Sequence, residues 1–85
     1  MKYRIIISKE AQKNLKRLPA NYAERIQVKI AVLATGPYIG KKLEGRLSDR
    51  YSIRVWPYRI IYKIVKQKLI IEVIEIKHRQ VAYKD

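Results

Sequence analysis

Apolar residues recur at helical spacing through the first half of the chain. Within residues 9–18 and again within 20–34, successive apolar positions are three or four apart, which is the spacing of one helix face. Gly36-Pro37 then supplies a stop signal. The stripes consist of Ala11, Leu15 and Leu18, followed by Tyr22, Ile26, Ile30 and Leu33. The pattern predicts a hairpin of two helices, each with an apolar face to cover.

A two-residue alternation replaces this period in the second half. It runs through 51–56 and, after Pro57, through 58–65, as expected of half-buried strands. Residues 69–76 are apolar on both faces, which predicts an interior strand, and Lys2–Ile7 is also β-forming. The predicted order is β-α-α-β-β-β in one domain spanning 1–85. It describes an α+β fold with a helical hairpin packed on a mainly antiparallel sheet.

Charge narrows the class of partner. Twenty Lys and Arg against seven Asp and Glu give a net charge of +13, and both halves of the chain contribute. A field of this size attracts polyanions such as nucleic acid, the ribosome or an acidic protein. No stretch resembles a signal peptide or a membrane span, so we expect a soluble cytoplasmic protein.

Several kinds of chemistry lack support in the sequence. The chain has no cysteine and one histidine, and its carboxylates are scattered, so we expect no metal and no cofactor. Glu72 and Glu75 are three apart on a predicted strand, which predicts that they point to opposite faces and form no acid/base dyad. The glycines do not match a phosphate-binding loop.

The remaining candidate chemistry is cationic. Arg54 and Arg59 flank the Trp56-Pro57 turn and come within reach of each other if their strands pair, and Arg50 shares a face with Arg54. The segment 77–83 converges on them if the last strand lies beside 58–65. Such a cluster can hold a phosphodiester and stabilise the charge that develops during attack by a ribose 2′-hydroxyl.

Each of these residues also fits a plainer role. An arginine alternating on a strand fits a solvated face, a tryptophan beside a proline fits a packing cap, and a single histidine near the end of a chain fits an ordinary surface. In the catalytic interpretation, His78 exchanges a proton near neutral pH and Tyr83 stacks on a base or donates a hydrogen bond.

Three segments, in order, resemble the RelE family of the RelE/ParE toxin superfamily. "ISKEAQKNLKRLP" at 7–19 resembles its first helix, and "KKLEGRLSDRYSIRVWPYRIIYKI" at 41–64 resembles its most specific stretch. "KHRQVAY" at 77–83 is similar to the closing His-Arg-x-x-x-Tyr element, although Lys77 stands where a glycine is common. The resemblance extends over nearly the whole chain, with these segments spread from residue 7 to residue 83.

The resemblance implies an endoribonuclease that cuts mRNA in the ribosomal A site without a metal. It assigns the scissile phosphate to the arginines of the two hairpin strands and to the closing element, and it assigns RNA or ribosome contacts to the preceding basic residues. The implied catalytic residues are Arg54, Arg59, His78, Arg79 and Tyr83, and the implied contact residues are Lys41, Lys42, Arg46 and Arg50.

The resemblance also implies partners: an acidic RelB-like antitoxin in a hetero-oligomer, the ribosome and mRNA. Two other functions stay open. One is a ParE-like toxin that inhibits DNA gyrase, although chains of that branch usually carry a longer helical hairpin. The other is a basic RNA-binding or ribosome-binding module without catalysis.

Overall fold

The computed structural model describes residues 2–79, so Tyr83 and the rest of the 80–85 segment lie outside the described residues. The predicted order is confirmed, with one additional short strand. The elements are β1 (Arg4–Ile7), α1 (Lys9–Arg17), α2 (Ala20–Leu33), β2 (Lys41–Lys42), β3 (Arg50–Val55), β4 (Tyr58–Val65) and β5 (Ile70–His78). Short 3-10 helices occupy Pro37–Ile39, Gly45–Leu47 and Lys66–Lys68.

The sheet has the strand order β1-β5-β4-β3-β2. Among the strands of residues 2–79, only β1 and β5 run parallel, and every other neighbouring pair is antiparallel. The strand β5 therefore lies inside the sheet, as its two apolar faces predicted. The two helices contribute Ala11, Ile26, Ile30 and Leu33 to one core with the sheet residues Val55, Ile60, Tyr62, Ile71, Val73 and Ile76.

Local sequence explains how α1 begins and where it attaches. The Ser8 hydroxyl accepts a hydrogen bond from the Ala11 N–H at 3.0 Å, which caps the helix, and it donates to the Ile74 carbonyl at 2.6 Å. One turn further, the Asn14 side-chain oxygen accepts from the Ile76 N–H at 2.8 Å. The strand β1 ends opposite Val73, so β5 has no parallel neighbour beyond that residue. There the side chains of Ser8 and Asn14 bind backbone groups of β5 in place of a neighbouring strand.

A β-bulge in β5 overturns the prediction that Glu72 and Glu75 point to opposite faces. Glu75 is opposite Ile61 and Glu72 is opposite Lys63, while the register slips by one residue between these pairs. Ile61 and Lys63 are two apart on β4 and share a face, so the slip puts Glu72 and Glu75 on the same face. Simple alternation failed because it cannot anticipate an extra residue in one strand.

Candidate functional site

Three cationic residues lie abreast on three neighbouring strands. Arg54 of β3 is directly opposite Arg59 of β4, and Arg59 is directly opposite Lys77 of β5. Facing residues of antiparallel strands have Cα atoms about 4.5–5.5 Å apart and side chains on the same face. We call Arg54, Arg59 and Lys77 the cation row. Their neighbours Val55, Ile60 and Ile76 belong to the core, so the row lies on the face of the sheet opposite the helices.

This arrangement is unfavourable for the protein alone. Like charges directly opposite each other across two strands destabilise a sheet. A carboxylate of Glu75 lies 3.7 Å from the Lys77 ammonium and offsets part of that repulsion at one end of the row. An anion bound over the row would relieve more of it, because each added negative charge would interact with several cations at once.

The row borders an open pocket of about 400 Å³. Lys41 of β2, Ser52, Arg54 and Arg59 supply its polar lining. Ser52 is 4% exposed, and its hydroxyl oxygen accepts from the Arg59 guanidinium at 3.5 Å. The pocket therefore combines several cations with a hydroxyl group, a set of donors able to bind phosphate oxygens.

A buried tyrosine fixes the wall of this pocket. The Tyr62 hydroxyl donates to the Pro37 carbonyl at 2.7 Å and accepts from the Gly40 N–H at 3.1 Å. A Cβ atom at Gly40 would clash with the Tyr62 oxygen and come within 3.0 Å of the Ser52 carbonyl, so only glycine allows this approach. Burial raises the pKa of Tyr62; the Gly40 hydrogen bond opposes that change, and the neighbouring Tyr51 phenol adds to it.

Arg79 attaches the start of the closing segment to the β3–β4 turn. Its backbone N–H donates to the Pro57 carbonyl at 2.8 Å, and its guanidinium carbon lies 4.7 Å from the centre of the Trp56 ring. The geometry is that of a cation–π contact. Trp56 remains 51% exposed, so it is not a buried packing cap. The predicted convergence of this segment on the arginine hairpin is found for Arg79.

His78 points away from the cation row. Its register partner on β4 is Tyr58, which lies two residues from the core residue Ile60. The His78 and Tyr58 rings make an edge-on contact, with 5.4 Å between their centroids. Tyr58 in turn makes an edge-on contact with Tyr22 of α2. The imidazole is therefore on the helix-covered face, and the prediction that it shares a site with Arg54 and Arg59 is not supported by its position. Sequence reasoning ended the strand at Ile76, whereas β5 runs through His78 and alternation decides its face.

The predicted contact residues divide between the two faces. Lys41 is opposite Ser52 and lines the pocket, whereas the adjacent Lys42 is opposite Tyr51 and belongs to the other face. Arg50 lies on the face of the row, as predicted, with its Nε 3.8 Å from the Asp49 carboxylate. Arg46 is exposed in the Gly45–Leu47 turn.

Sequence reasoning missed two members of the site. No motif in the sequence singles out Ser52, but it alternates with Arg54 and Arg50 on one face of β3. Lys77 lies just beyond the predicted last strand, 69–76, and its place in the row follows from the register of β4 and β5. A longer assignment of the last strand would have revealed it.

Two further features concern only residues 2–79. Within this range, no three His, Asp or Glu side chains come together in a group able to hold a metal ion. Neither helix described there is long and apolar enough to cross a membrane.

Known proteins share both the sequence pattern and the fold. The family described as ParE toxin of type II toxin–antitoxin system, parDE, matches residues 5–83. The toxin RelE of Mycobacterium tuberculosis is 30% identical over 84 residues, covering 96% of this chain and 87% of the relative.

Solved structures give the same result. The toxin–antitoxin complex RelBE2 from Mycobacterium tuberculosis contains a chain with a TM-score of 0.83 and 26% identity, over 93% of this chain and 100% of that one. The archaeal RelE–RelB complex from Pyrococcus horikoshii OT3 contains a chain with a TM-score of 0.80 and 30% identity. The match covers 93% of this chain and 97% of that one. The chain therefore belongs to the RelE/ParE superfamily of type II toxin–antitoxin toxins and resembles its RelE members.

Proposed function

We propose that this toxin is a ribosome-dependent endoribonuclease that cuts mRNA in the A site. The observation that carries the proposal is the cation row beside a pocket lined by Ser52 and Lys41. Three cations abreast suit a phosphodiester better than a protein surface, because a phosphate presents several oxygens to donors on one side.

The proposed reaction is attack by a ribose 2′-hydroxyl on the adjacent phosphorus. A bond forms between the 2′-oxygen and phosphorus, and the bond from phosphorus to the 5′-oxygen breaks. The products are a 2′,3′-cyclic phosphate and a 5′-hydroxyl; the 2′ proton passes to water and the leaving oxygen takes one back. Negative charge on the phosphorane rises during attack, and Arg54, Arg59 and Lys77 stabilise it at fixed positions.

These cations supply the charge neutralisation that a metal ion provides in other nucleases, so the proposal includes no metal. Arg79 approaches from the Trp56-Pro57 turn and holds the RNA beside the row. The proposal assigns no proton transfer to His78, because its ring packs against Tyr58 on the other face. Tyr83, which lies outside the described residues, keeps its predicted role of contacting the substrate base.

The proposed partners follow from charge and from the relatives. The related toxins from Mycobacterium tuberculosis and Pyrococcus horikoshii were solved in complexes with RelB-type antitoxins. A chain of net charge +13 attracts an acidic protein, and such a partner lying over the cation row would block RNA. We propose a RelB-like antitoxin, a toxin–antitoxin hetero-oligomer, and action in the cytoplasm, where ribosomes are present.

One competing function has its own support. The matching family is described by its ParE members, and a ParE-like toxin would inhibit DNA gyrase. The helices here are short, nine and 14 residues, whereas the ParE branch usually has a longer hairpin. A cation row on an open sheet face also has no evident use in holding a gyrase segment, so we favour the nuclease.

A translation extract separates these functions. Purified toxin is added to mRNA with and without ribosomes, and new ends are mapped by primer extension. The nuclease predicts new ends within codons only when ribosomes are present. Unbroken mRNA together with accumulating cleaved gyrase–DNA complexes supports the ParE-like function instead. Unbroken mRNA on ribosomes that carry bound toxin indicates a binding module.

A further inference from the structure

A second pocket lies around the edge of the sheet from the cation row. It measures about 420 Å³ and lies between α2 and the end of β3, with Arg25, Val28 and Lys29 on the helix and Arg54 and Trp56 on the strand side. Its volume, like that of the first pocket, falls in the lower part of the range of about 300–1,000 Å³ typical of small-molecule sites.

The two pockets share a wall. Arg54 lines both of them, so a ligand lying over the cation row can continue past Arg54 to the second pocket without leaving the protein. The edge of β3 is open at this point among the described residues, because β2 pairs only with Tyr51 and Ser52. A chain molecule can therefore cross the strand edge there without meeting a neighbouring strand.

The lining of the second pocket suits a nucleotide. Arg25, Lys29 and Arg54 outnumber the single carboxylate of Glu24, which leaves a net positive charge for a phosphate. Val28 is 61% exposed and Trp56 is 51% exposed, which offers an apolar wall and an aromatic ring for a base. Alternation of cations with an aromatic group is typical of sites for single-stranded nucleic acid.

We propose that this pocket, which we call the edge subsite, binds the nucleotide next to the one whose phosphate lies over the cation row. This inference rests on the proposed nuclease function and adds the path of the RNA. The strand runs from the open face of the sheet, past Arg54 and over the free edge of β3, to α2. The edge subsite thus adds affinity through a linked second contact rather than through the reacting phosphate.

The single tryptophan makes the edge subsite directly observable. Trp56 is the only tryptophan in the chain, so its fluorescence reports on this pocket and on the adjacent Arg79 contact without a label, and the variants below separate the two. The probe is a 2′-O-methyl hexaribonucleotide, which cannot be cut because the attacking hydroxyl is blocked. We expect a saturable change in emission, and a much weaker apparent affinity for adenosine monophosphate, which cannot span two subsites.

Charge-removing variants test the location. Arg25→Gln and Lys29→Gln should each weaken hexanucleotide binding about 3–10-fold and reduce the salt dependence of log K by about 0.7, the value for one phosphate contact on a single strand. Lys13→Gln on α1 is the matched control, because it removes one exposed charge that lines neither pocket, and it should leave the binding curve of the hexanucleotide unchanged. Circular dichroism checks that each variant is folded.

A second comparison tests whether one strand occupies both pockets. Arg59→Gln alters the first pocket but not the lining of the second. It should therefore weaken binding of the hexanucleotide and leave binding of adenosine monophosphate unchanged. Equal loss for Lys13→Gln and Arg25→Gln, no emission change with the hexanucleotide, or equally tight binding of hexaglutamate would overturn the edge subsite. Since nothing is cut in this assay, the result is independent of the extract experiment, and either proposal can fail alone.

Discussion

Arg54 and Arg59 face each other across the β3–β4 hairpin, as directly opposed residues of two antiparallel strands. Like charges in this position cost stability, and Lys77 extends the same arrangement by one strand. The proposed nuclease accounts for this pairing, because a bound phosphodiester would interact with several of these cations at once.

The first prediction separates stability from activity. Arg54→Gln removes an exposed member of the cation row and should raise the free energy of unfolding by about 0.2–1 kcal/mol, because a cross-strand repulsion is lost. The same variant should lower mRNA cleavage by about 10²–10³-fold, the usual effect of losing one charge-stabilising donor. Urea denaturation and primer extension measure the two quantities. A variant that is both less stable and fully active would contradict the interpretation.

The second prediction concerns His78. His78→Phe keeps a ring against Tyr58 but removes both nitrogens, so cleavage should stay within about threefold of wild type and keep the same pH profile. The companion His78→Gln lacks the ring and should lower stability more than His78→Phe does. If His78→Phe loses cleavage by orders of magnitude while remaining folded, the imidazole takes part in proton transfer and moves to the other face when RNA binds.

The third prediction tests the wall of the pocket. Tyr62→Phe leaves the Pro37 carbonyl and the Gly40 N–H without their hydroxyl partner, which should cost about 1–3 kcal/mol of unfolding free energy. Gly40→Ala should also destabilise the fold, through a clash with the same hydroxyl. Gly45 provides a contrast: a Cβ there meets nothing within 4 Å, so only its φ of +70° opposes alanine. Thermal unfolding that left Tyr62→Phe unchanged would show that these hydrogen bonds contribute nothing.

The fourth prediction is a pH dependence with the same origin. Burial raises the pKa of Tyr62 in the folded protein above the ordinary tyrosine value of about 10. The unfolded chain therefore ionises first as the pH rises, so this contribution to stability is complete below about pH 10 and is lost as the pH climbs toward the folded value. Unfolding free energies measured from pH 8 to 11.5 should fall less steeply for Tyr62→Phe than for wild type. Parallel curves would exclude Tyr62 as a source of alkaline sensitivity.

Much of the fold follows from the sequence because its two periods are clean. The stripe from Tyr22 to Leu33 and the alternation from Tyr58 to Val65 identify a helix and a strand whose observed bounds agree closely with the prediction. The two-residue strand Lys41–Lys42 was not predicted, because so short a segment has no period and pairs only through its neighbour.

Less of the candidate site could be read in advance. The opposition of Arg54 and Arg59 follows from a tight hairpin, and proximity in sequence made it predictable. The position of Lys77 beside Arg59 and that of His78 on the other face depend on the register between β4 and β5, which a bulge shifts by one residue. A one-residue change of register moves every following side chain to the other face of the sheet, so the faces of Lys77 and His78 were the hardest to predict.

The most direct test compares Arg59→Gln with Arg4→Gln in ribosome-programmed mRNA cleavage. Arg59 occupies the middle of the cation row, whereas Arg4 is exposed on the edge strand at the other side of the sheet, so both variants lose one positive charge. We expect wild type and Arg4→Gln to produce new mRNA ends within codons at similar rates, and Arg59→Gln to be about 10²–10³-fold slower while folding normally. Equal rates for all three proteins, or no new ends with wild type on active ribosomes, would contradict the assignment of the cation row as the catalytic site.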